Sequence, residues 1–403
     1  MTTTLPARAP QRPRLRLLAG LLAATAAVGG GVGWVLVHDA PVAVRSADSS
    51  RGAAPITPPV VSTVGARAGR VPWDRPLTLA VSDGTLRSVT ALDPDGQPVT
   101  GTLTDTGWMS TGTLLPASSY RMTAVVVDRA GTSHTVVLAP RTSAPATTLH
   151  ATLSPGDGNV VGVGMPVVVT LDRAVLRAAD RAAVEQRLSV TASPPVAGAW
   201  RWMSPTELHY RGPTYWAARS RITAHADFTR LHLSDGTWGE GVRDTRYTIG
   251  AAIISTVDVQ KKVMTVVRDG VLLRTVKVST GRDKYPTKGG VHLVLEKTKL
   301  KIMDSATVGI PRKSPDGYYE KVPNSVRISY GGAFVHAADW SVRDQGVRNV
   351  SHGCVNISPA DAAWFFDLVR RGDVVDIKNA LVGPKLSDPG MSDWNIRFSE
   401  WAN

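Results

Sequence analysis

Cys354 is the only cysteine in a chain of 403 residues. It lies in "RNVSHGCVNISP", two residues after His352 and eighteen after His336. A thiol becomes a nucleophile when it has a neighbouring base, a group that orients the base, and N–H donors for the oxygen of the attacked carbonyl. The stretch supplies candidates for each role. His336 or His352 can act as base, and a paired imidazole is expected to draw the thiol below its usual pKa of about 8.5. Gly353 lets a substrate approach the backbone, and the N–H groups of Gly353 and Cys354 are the candidate oxyanion donors. The plainer alternatives are a packed cysteine beside a glycine and an ordinary hydrogen-bonded His352. A zinc centre wants about four ligands, more than one cysteine and two histidines provide. No metal is expected.

The elements that must position this group can be read around it. "SPADAAWFFDLVRRGDVVDI" predicts a helix with Ser358 as cap, Pro359 in the first position and Asp361 in the first turn. Ala362, Phe365, Phe366 and Val369 form its buried stripe, Gly372 ends it, and the strand "DVVDI" follows. Cys354 therefore sits just ahead of the principal helix of a mostly β domain. His336 ends a strand in "FVHAADW". The domain opens with the hairpin "KKVMTVVRDGVLLRTVKVSTG" around Asp269-Gly270, and "VHLVLEK" reads as a further strand. Lysine usage marks its start, because all twelve lysines lie at Lys261 or beyond.

Upstream, from about residue 60 to Ala251, short alternating runs separated by turn residues predict β-sandwiches. "GWMSTGTLLPASSYRMTA" and "RWMSPTELHYRGPTYWAARSRITA" share Trp-Met-Ser and Arg-apolar-Thr-Ala, with six residues inserted in the second. The repeat implies two tandem sandwiches, serving most simply as spacers, with a short helix over Asp180 to Leu188 in the second. The expected organisation is an N-terminal arm and apolar segment over 1–37, a linker over 38–59, immunoglobulin-like domains over 60–148 and 149–250, a catalytic domain over 251–380 and a C-terminal docking tail over 381–403. The fold class is mainly β with one principal helix.

The net charge of +13 divides as about +3 in residues 1–50, +4 in 51–250 and +6 in 251–403. No segment forms a basic arm or recognition helix, so nucleic acid is not an expected partner. Arg8, Arg12, Arg14 and Arg16 precede the uncharged stretch Leu17 to Val37. Twenty-one such residues span roughly 30 Å at about 1.5 Å each, longer than a cleaved signal's core of about 7–15. An uncleaved membrane anchor is expected ahead of a cleaved signal peptide, and either one exports the remainder. A single cysteine is unusual after export, where cysteines pair or are absent.

The segment "HAADWSVRDQGVRNVSHGCVNIS" resembles the catalytic motif of the L,D-transpeptidases: a histidine, a variable stretch, then Ser-His-Gly-Cys-x-Asn. "YPTKGGVHLV" and "RGDVVDI" extend the likeness, and the whole chain resembles the actinobacterial form with two immunoglobulin-like domains. The resemblance implies Cys354 as nucleophile and His336 as its base, held by the backbone carbonyl of Ala337. His352 is then a second, positional imidazole and Ser351 shapes the turn. Asn356, Tyr330, Gly331 and Gly332 match substrate-contact positions. "MDSATVGIPRKSPDGYYEKV" matches the active-site lid, so Met303 and Tyr318 line the cavity. The implied reaction is acyl transfer between peptidoglycan stems. Cys354 attacks a donor tetrapeptide, D-Ala leaves, and the side-chain amine of an acceptor stem resolves the thioester into a 3→3 cross-link. Carbapenems are implied as covalent inhibitors, and no cofactor is implied. An exported cysteine peptidase, with water resolving the thioester, is the alternative. Papain-type enzymes place cysteine before histidine, which disfavours that class.

Overall fold

Where the sequence alternates, strands form with every second side chain buried. Along Arg121–Asp128, Met122, Ala124 and Val126 are inaccessible while their neighbours reach solvent. The computed structural model describes residues 57–388 and 392–403. The proposed anchor and nearly all of the linker lie outside the described residues. Among the described residues, no helix is long and apolar enough to cross a membrane. The chain is mainly β, with two immunoglobulin-like sandwiches ahead of a catalytic domain. Described residues up to Leu114, with Ser118–Ser143, form one compact unit, and Leu115–Ala117 with Ala144–Asn403 form the other.

In the first unit, one sheet runs in the order Val60–Thr63, Thr78–Ser82, Gly107–Ser110, Gly101–Thr104. The facing sheet is Gly84–Leu92, Arg121–Asp128, Ser133–Leu138. Leu77, Leu79, Leu86, Trp108 and Met122 fill the space between them. The second sandwich repeats this plan. Ala151–Ser154, Val167–Leu171, Glu207–Arg211 and Ala199–Ser204 form one sheet, and Val160–Val161, Val242–Ile249, Arg221–Asp227 and Leu188–Ser193 the other. A helix covers Ala178–Glu185.

The internal repeat holds at its end but not at its start. Arg121–Ala124 and Arg221–Ala224 both lie on interior strands of the second sheet. Trp108-Met109-Ser110 lies on an inner strand, however, whereas Trp202-Met203-Ser204 lies on an edge. The inner strand of the second sandwich is Glu207–Arg211. The inserted residues therefore move the matching motif over by one strand of the hairpin.

The catalytic domain, whose elements are labelled from its own start, opens with β1 (Ile253–Asp258), β2 (Val263–Arg268) and β3 (Val271–Lys277). Asp269 and Gly270, at φ 51° and 85°, make the β2–β3 turn. Then come β4 (Gly290–Leu293), β5 (Glu296–Asp304), β6 (Tyr319–Arg327), β7 (Phe334–Ala337), β8 (Val355–Ile357), helix α1 (Pro359–Leu368) and β9 (Val374–Lys378). One sheet has the order β3-β2-β1-β9-β4, the other β5-β6-β7-β8. "VHLVLEK" is thus split, with the chain changing sheets between β4 and β5. Helix α1 packs on β6 and β7. Ser358 Oγ accepts the Asp361 N–H at 3.1 Å, and Ala362, Phe365 and Phe366 face the core. The helix stops at Leu368, short of Gly372, whose φ of 88° turns the chain toward β9.

The second sandwich and the catalytic domain share a core. Val161, Val163, Met165 and Trp216 pack in one cluster with Leu293 and Val374. Gly162 N–H donates to Arg371 O at 2.8 Å and Gly164 N–H to Gly372 O at 2.9 Å. A Cβ on Gly162 would fall 2.1 Å from Asp373 N, so only glycine admits this approach. The tail closes the same seam. Asn395 brackets Val291, accepting its N–H at 2.8 Å and donating to its carbonyl at 2.7 Å. Trp394 Nε1 donates to Gly164 O and Trp401 Nε1 to Ala199 O. Burial alone would lower the pKa of His209, but the Asp393 and Glu207 carboxylates override it and hold the ring at about 9.

Candidate active site

Strands β7 and β8 run parallel, with Val335 beside Val355 and His336 beside Asn356. Side chains alternate along a strand, so His336, Asn356 and Cys354, two before Asn356, project from one face. That face looks into a cavity of about 270 Å³ lined by Cys354, His336, His352, Ser351, Asn356, Met303 and Tyr318. Trp340, Glu320, Val350 and the 315–317 turn complete the lining.

The two histidines differ in what their nitrogens can do. His336 Nδ1 lies 2.8 Å from Ala337 O. A carbonyl only accepts, so Nδ1 carries the proton and Nε2 keeps its lone pair. His336 is 3% exposed, and burial pulls its pKa down to about 4, against the Ala337 carbonyl, which raises it. His352 Nε2 lies 2.9 Å from Arg282 Nη2 and must accept that bond, which occupies its lone pair. Its ring sits between Tyr285 and Tyr318, each centroid 5.0 Å away. Burial and then the Arg282 charge lower its pKa as well.

The thiol departs from expectation. Burial pushes Cys354 up to about 11, only partly opposed by the Phe334 N–H and the Arg327 charge. The sulfur lies 3.8 Å from Gly332 O, to which it donates. A neutral imidazole supplies no positive charge to stabilise a thiolate, so desolvation wins. At neutral pH burial leaves both groups uncharged, as thiol and imidazole. The oxyanion expectation is also corrected in part. Gly353 N–H donates to Ser351 Oγ at 3.1 Å, inside the turn that Ser351 closes by donating to Cys354 O at 2.6 Å. The Cys354 N–H remains the candidate.

A profile of the bacterial Ig domain matches residues 68–232, and one of the L,D-transpeptidase catalytic domain matches residues 253–377. The chain is 35% identical over 387 residues to L,D-transpeptidase 2 of Mycobacterium tuberculosis (strain CDC 1551 / Oshkosh), covering 96% of this chain and 93% of that protein. The chain belongs to the L,D-transpeptidase family. L,D-transpeptidase 1 of the H37Rv strain is 36% identical over 227 residues, 56% of this chain and 84% of that one. A solved structure of an L,D-transpeptidase in complex with imipenem superposes with a TM-score of 0.51 at 34% identity, over 58% of this chain and all of that one.

Within this L,D-transpeptidase fold, the remaining residues singled out from sequence separate from the cavity. Tyr330 is 59% exposed and lines a different cavity, beside Met165, Leu295 and Arg371. Gly331 N–H donates to the tail carboxylate of Asp388, which also accepts from Ser329 Oγ at 2.8 Å. Gly332 meets the site only through its carbonyl. Within the lid Asp304 pairs with Arg312, and Asp316 ties the lid to the 282–285 turn by accepting from Arg282, Lys284 and Tyr285 Oη. Arg282, Tyr285, Trp340 and Glu320 were not foreseen. Glu320 has a legible signal, because it lies two residues after Tyr318, at the start of β6, and lines the same cavity.

Proposed function

We propose that this chain is an exported peptidoglycan L,D-transpeptidase that works through a thioester on Cys354. The observation that carries the reading is the division of labour between the histidines: His336, with its Nδ1 on Ala337 O, keeps an Nε2 lone pair in the cavity that Cys354 also lines, while His352 has spent its own on Arg282. As Cys354 Sγ attacks the carbonyl of the L,D peptide bond in a donor tetrapeptide, its proton passes to His336 Nε2. The imidazolium gives that proton to the departing amine of D-Ala, leaving a thioester. The side-chain amine of an acceptor stem attacks the thioester, its proton returns through His336, and the 3→3 cross-linked product leaves a free thiol. Starting from a neutral pair, proton transfer and sulfur attack are coupled, so no resting thiolate is required. A carbapenem carbonyl fits the same attack, in keeping with the family relative bound to imipenem.

Mass spectrometry of the protein with a tetrapeptide-stem muropeptide tests this, since cross-linked and hydrolysed products differ in mass. Cross-linked dimer with loss of D-Ala is expected. Hydrolysed tripeptide alone would turn the reading to a carboxypeptidase. Cys354→Ala should lose both product and carbapenem adduct, and an adduct on that variant would defeat the nucleophile assignment. His336→Ala should lower turnover by about 10²–10⁴-fold. Thiolate absorbance near 240 nm should stay absent below about pH 9 in both proteins, because burial holds the thiol at about 11. A thiolate already present at pH 7 in the wild type would contradict the neutral-pair mechanism.

A further inference from the structure

Two carboxylates line the cavity, Asp316 and Glu320, and only the first is ion-paired. Asp316 meets Arg282 and Lys284, and Asp304, next to Met303 of the lining, meets Arg312. Glu320 lines the same cavity as Cys354 and His336, and its carboxylate has neither a hydrogen bond nor an ion pair among the described residues. Its direction is fixed by the sheet. β5 and β6 pair with Met303 opposite Glu320, so the two side chains share a face. Met303 and Tyr318 both line the cavity. Half-buried carboxylates without a partner are costly, and proteins keep few of them. Burial, then the nearby Asp339, push its pKa above the usual carboxylate range. Asp339 accepts only the adjacent Trp340 N–H, at 3.0 Å, so the two carboxylates make an anionic corner in a chain of net charge +13.

We propose that Glu320, supported by Asp339, is the subsite that receives the side-chain ammonium of a stem's diamino acid. The inference rests on the transpeptidase reading and deepens it by naming the group that positions the amine. An ammonium entering this corner gains the charge-assisted partner that Glu320 lacks, and loses less on leaving water than it would in an apolar wall. Both donor and acceptor stems carry such an amine, and the cavity serves both half-reactions. Glu320 is thus a positioning residue whose charge, not its volume, is what matters.

The experiment uses the full chain with Glu320→Gln and Glu320→Asp. Three rates are measured: acylation by a carbapenem lacking a cationic side chain, D-Ala release from donor without acceptor, and cross-linking against acceptor concentration. Acylation by the uncharged carbapenem is expected to change less than either stem reaction, since that substrate brings no ammonium to Glu320. The Gln variant is expected to raise the KM for the amine-bearing stem about tenfold, the size of one lost charge-assisted contact. The Asp variant should recover part of it. A rise confined to acceptor dependence places the acceptor amine at Glu320, and a rise in donor KM places the donor amine there. Either supports the subsite. Unchanged stem KM values in the Gln variant, or an equal fall in all three rates, would overturn it while leaving a cross-linking wild type intact. A wild type that hydrolyses but never cross-links would instead remove the transpeptidase reading itself.

Discussion

The two immunoglobulin-like sandwiches share a plan but not a relation to a core. The first closes on its own interior: the cluster around Leu79, Trp108 and Met122 draws only on residues of that sandwich. The second is incomplete without its neighbour. Val161, Val163 and Met165 pack against Leu293 and Val374 of the catalytic domain, and two glycines bring the backbones into hydrogen-bond contact. A spacer needs only the first arrangement. The second sandwich shares its packing with the catalytic domain, which is more than a spacer requires.

Deletions break this comparison most strongly. Removing residues 57–143 should leave the acylation rate of the remaining chain within about twofold. Removing 57–250 should leave an insoluble or molten catalytic domain. Leu293, Val374 and Trp394 would lose their cover, at roughly 1.5–3 kcal/mol for each large apolar side chain, against a usual total stability of about 5–15 kcal/mol. Soluble, active protein from the shorter chain would show that the shared cluster is dispensable.

The next effect sharpens the comparison with single residues. Trp401 is 1% exposed, and its ring lies 4.4 Å from the Arg211 guanidinium, itself 2% exposed. Trp401→Ala opens a cavity and uncovers a buried cation, for a loss of roughly 3–5 kcal/mol. Trp108→Ala should cost a similar amount in the first sandwich. Calorimetry should resolve two transitions, with Trp108→Ala lowering one and Trp401→Ala the other. Acylation at a temperature between the two should survive only the Trp108 change. A single transition moved by both variants would erase the distinction between the sandwiches.

How much of this was legible follows from how local each feature is. Cys354, His336 and the Ser358-capped helix are written in contiguous residues, because capping, alternation and a catalytic motif all act over a few positions. The partners of His352 were hidden, since Arg282 and Tyr285 lie some seventy residues away and meet it only through the fold. The thiol's direction of shift was misjudged for the same reason: spacing reveals a neighbouring imidazole but not the burial that outweighs it. Gly162 and Gly164 look like loop glycines until another backbone is laid against them. The displaced Trp-Met-Ser motif shows the limit of repeats, because a match in sequence does not fix which strand of a hairpin carries it.

The smallest predicted effect lies at the seam itself and depends on pH. Asp373 is fully buried where the second sandwich meets the catalytic domain. Its Oδ2 accepts the Arg370 N–H at 2.8 Å, while Oδ1 faces Gly162 and has no partner among the described residues. Burial raises its pKa to about 7, against the Arg370 N–H and the Arg370 and Lys297 charges. A carboxyl near 3.8 in the unfolded chain and near 7 in the folded one holds its proton more tightly when folded. Its favourable contribution is therefore present below about pH 4 and is lost as pH rises through 7. Asp373→Asn cannot ionise, so relative to the wild type it should gain stability as pH rises from 5 to 8, by roughly 1–3 kcal/mol. Thermal melts of both proteins at several pH values measure the difference. The gain should appear in the transition lowered by Trp401→Ala and leave the other unmoved. A difference that stays constant from pH 5 to 8 would mean that Asp373 keeps its charge at the seam, and that the junction is wetter than its packing implies.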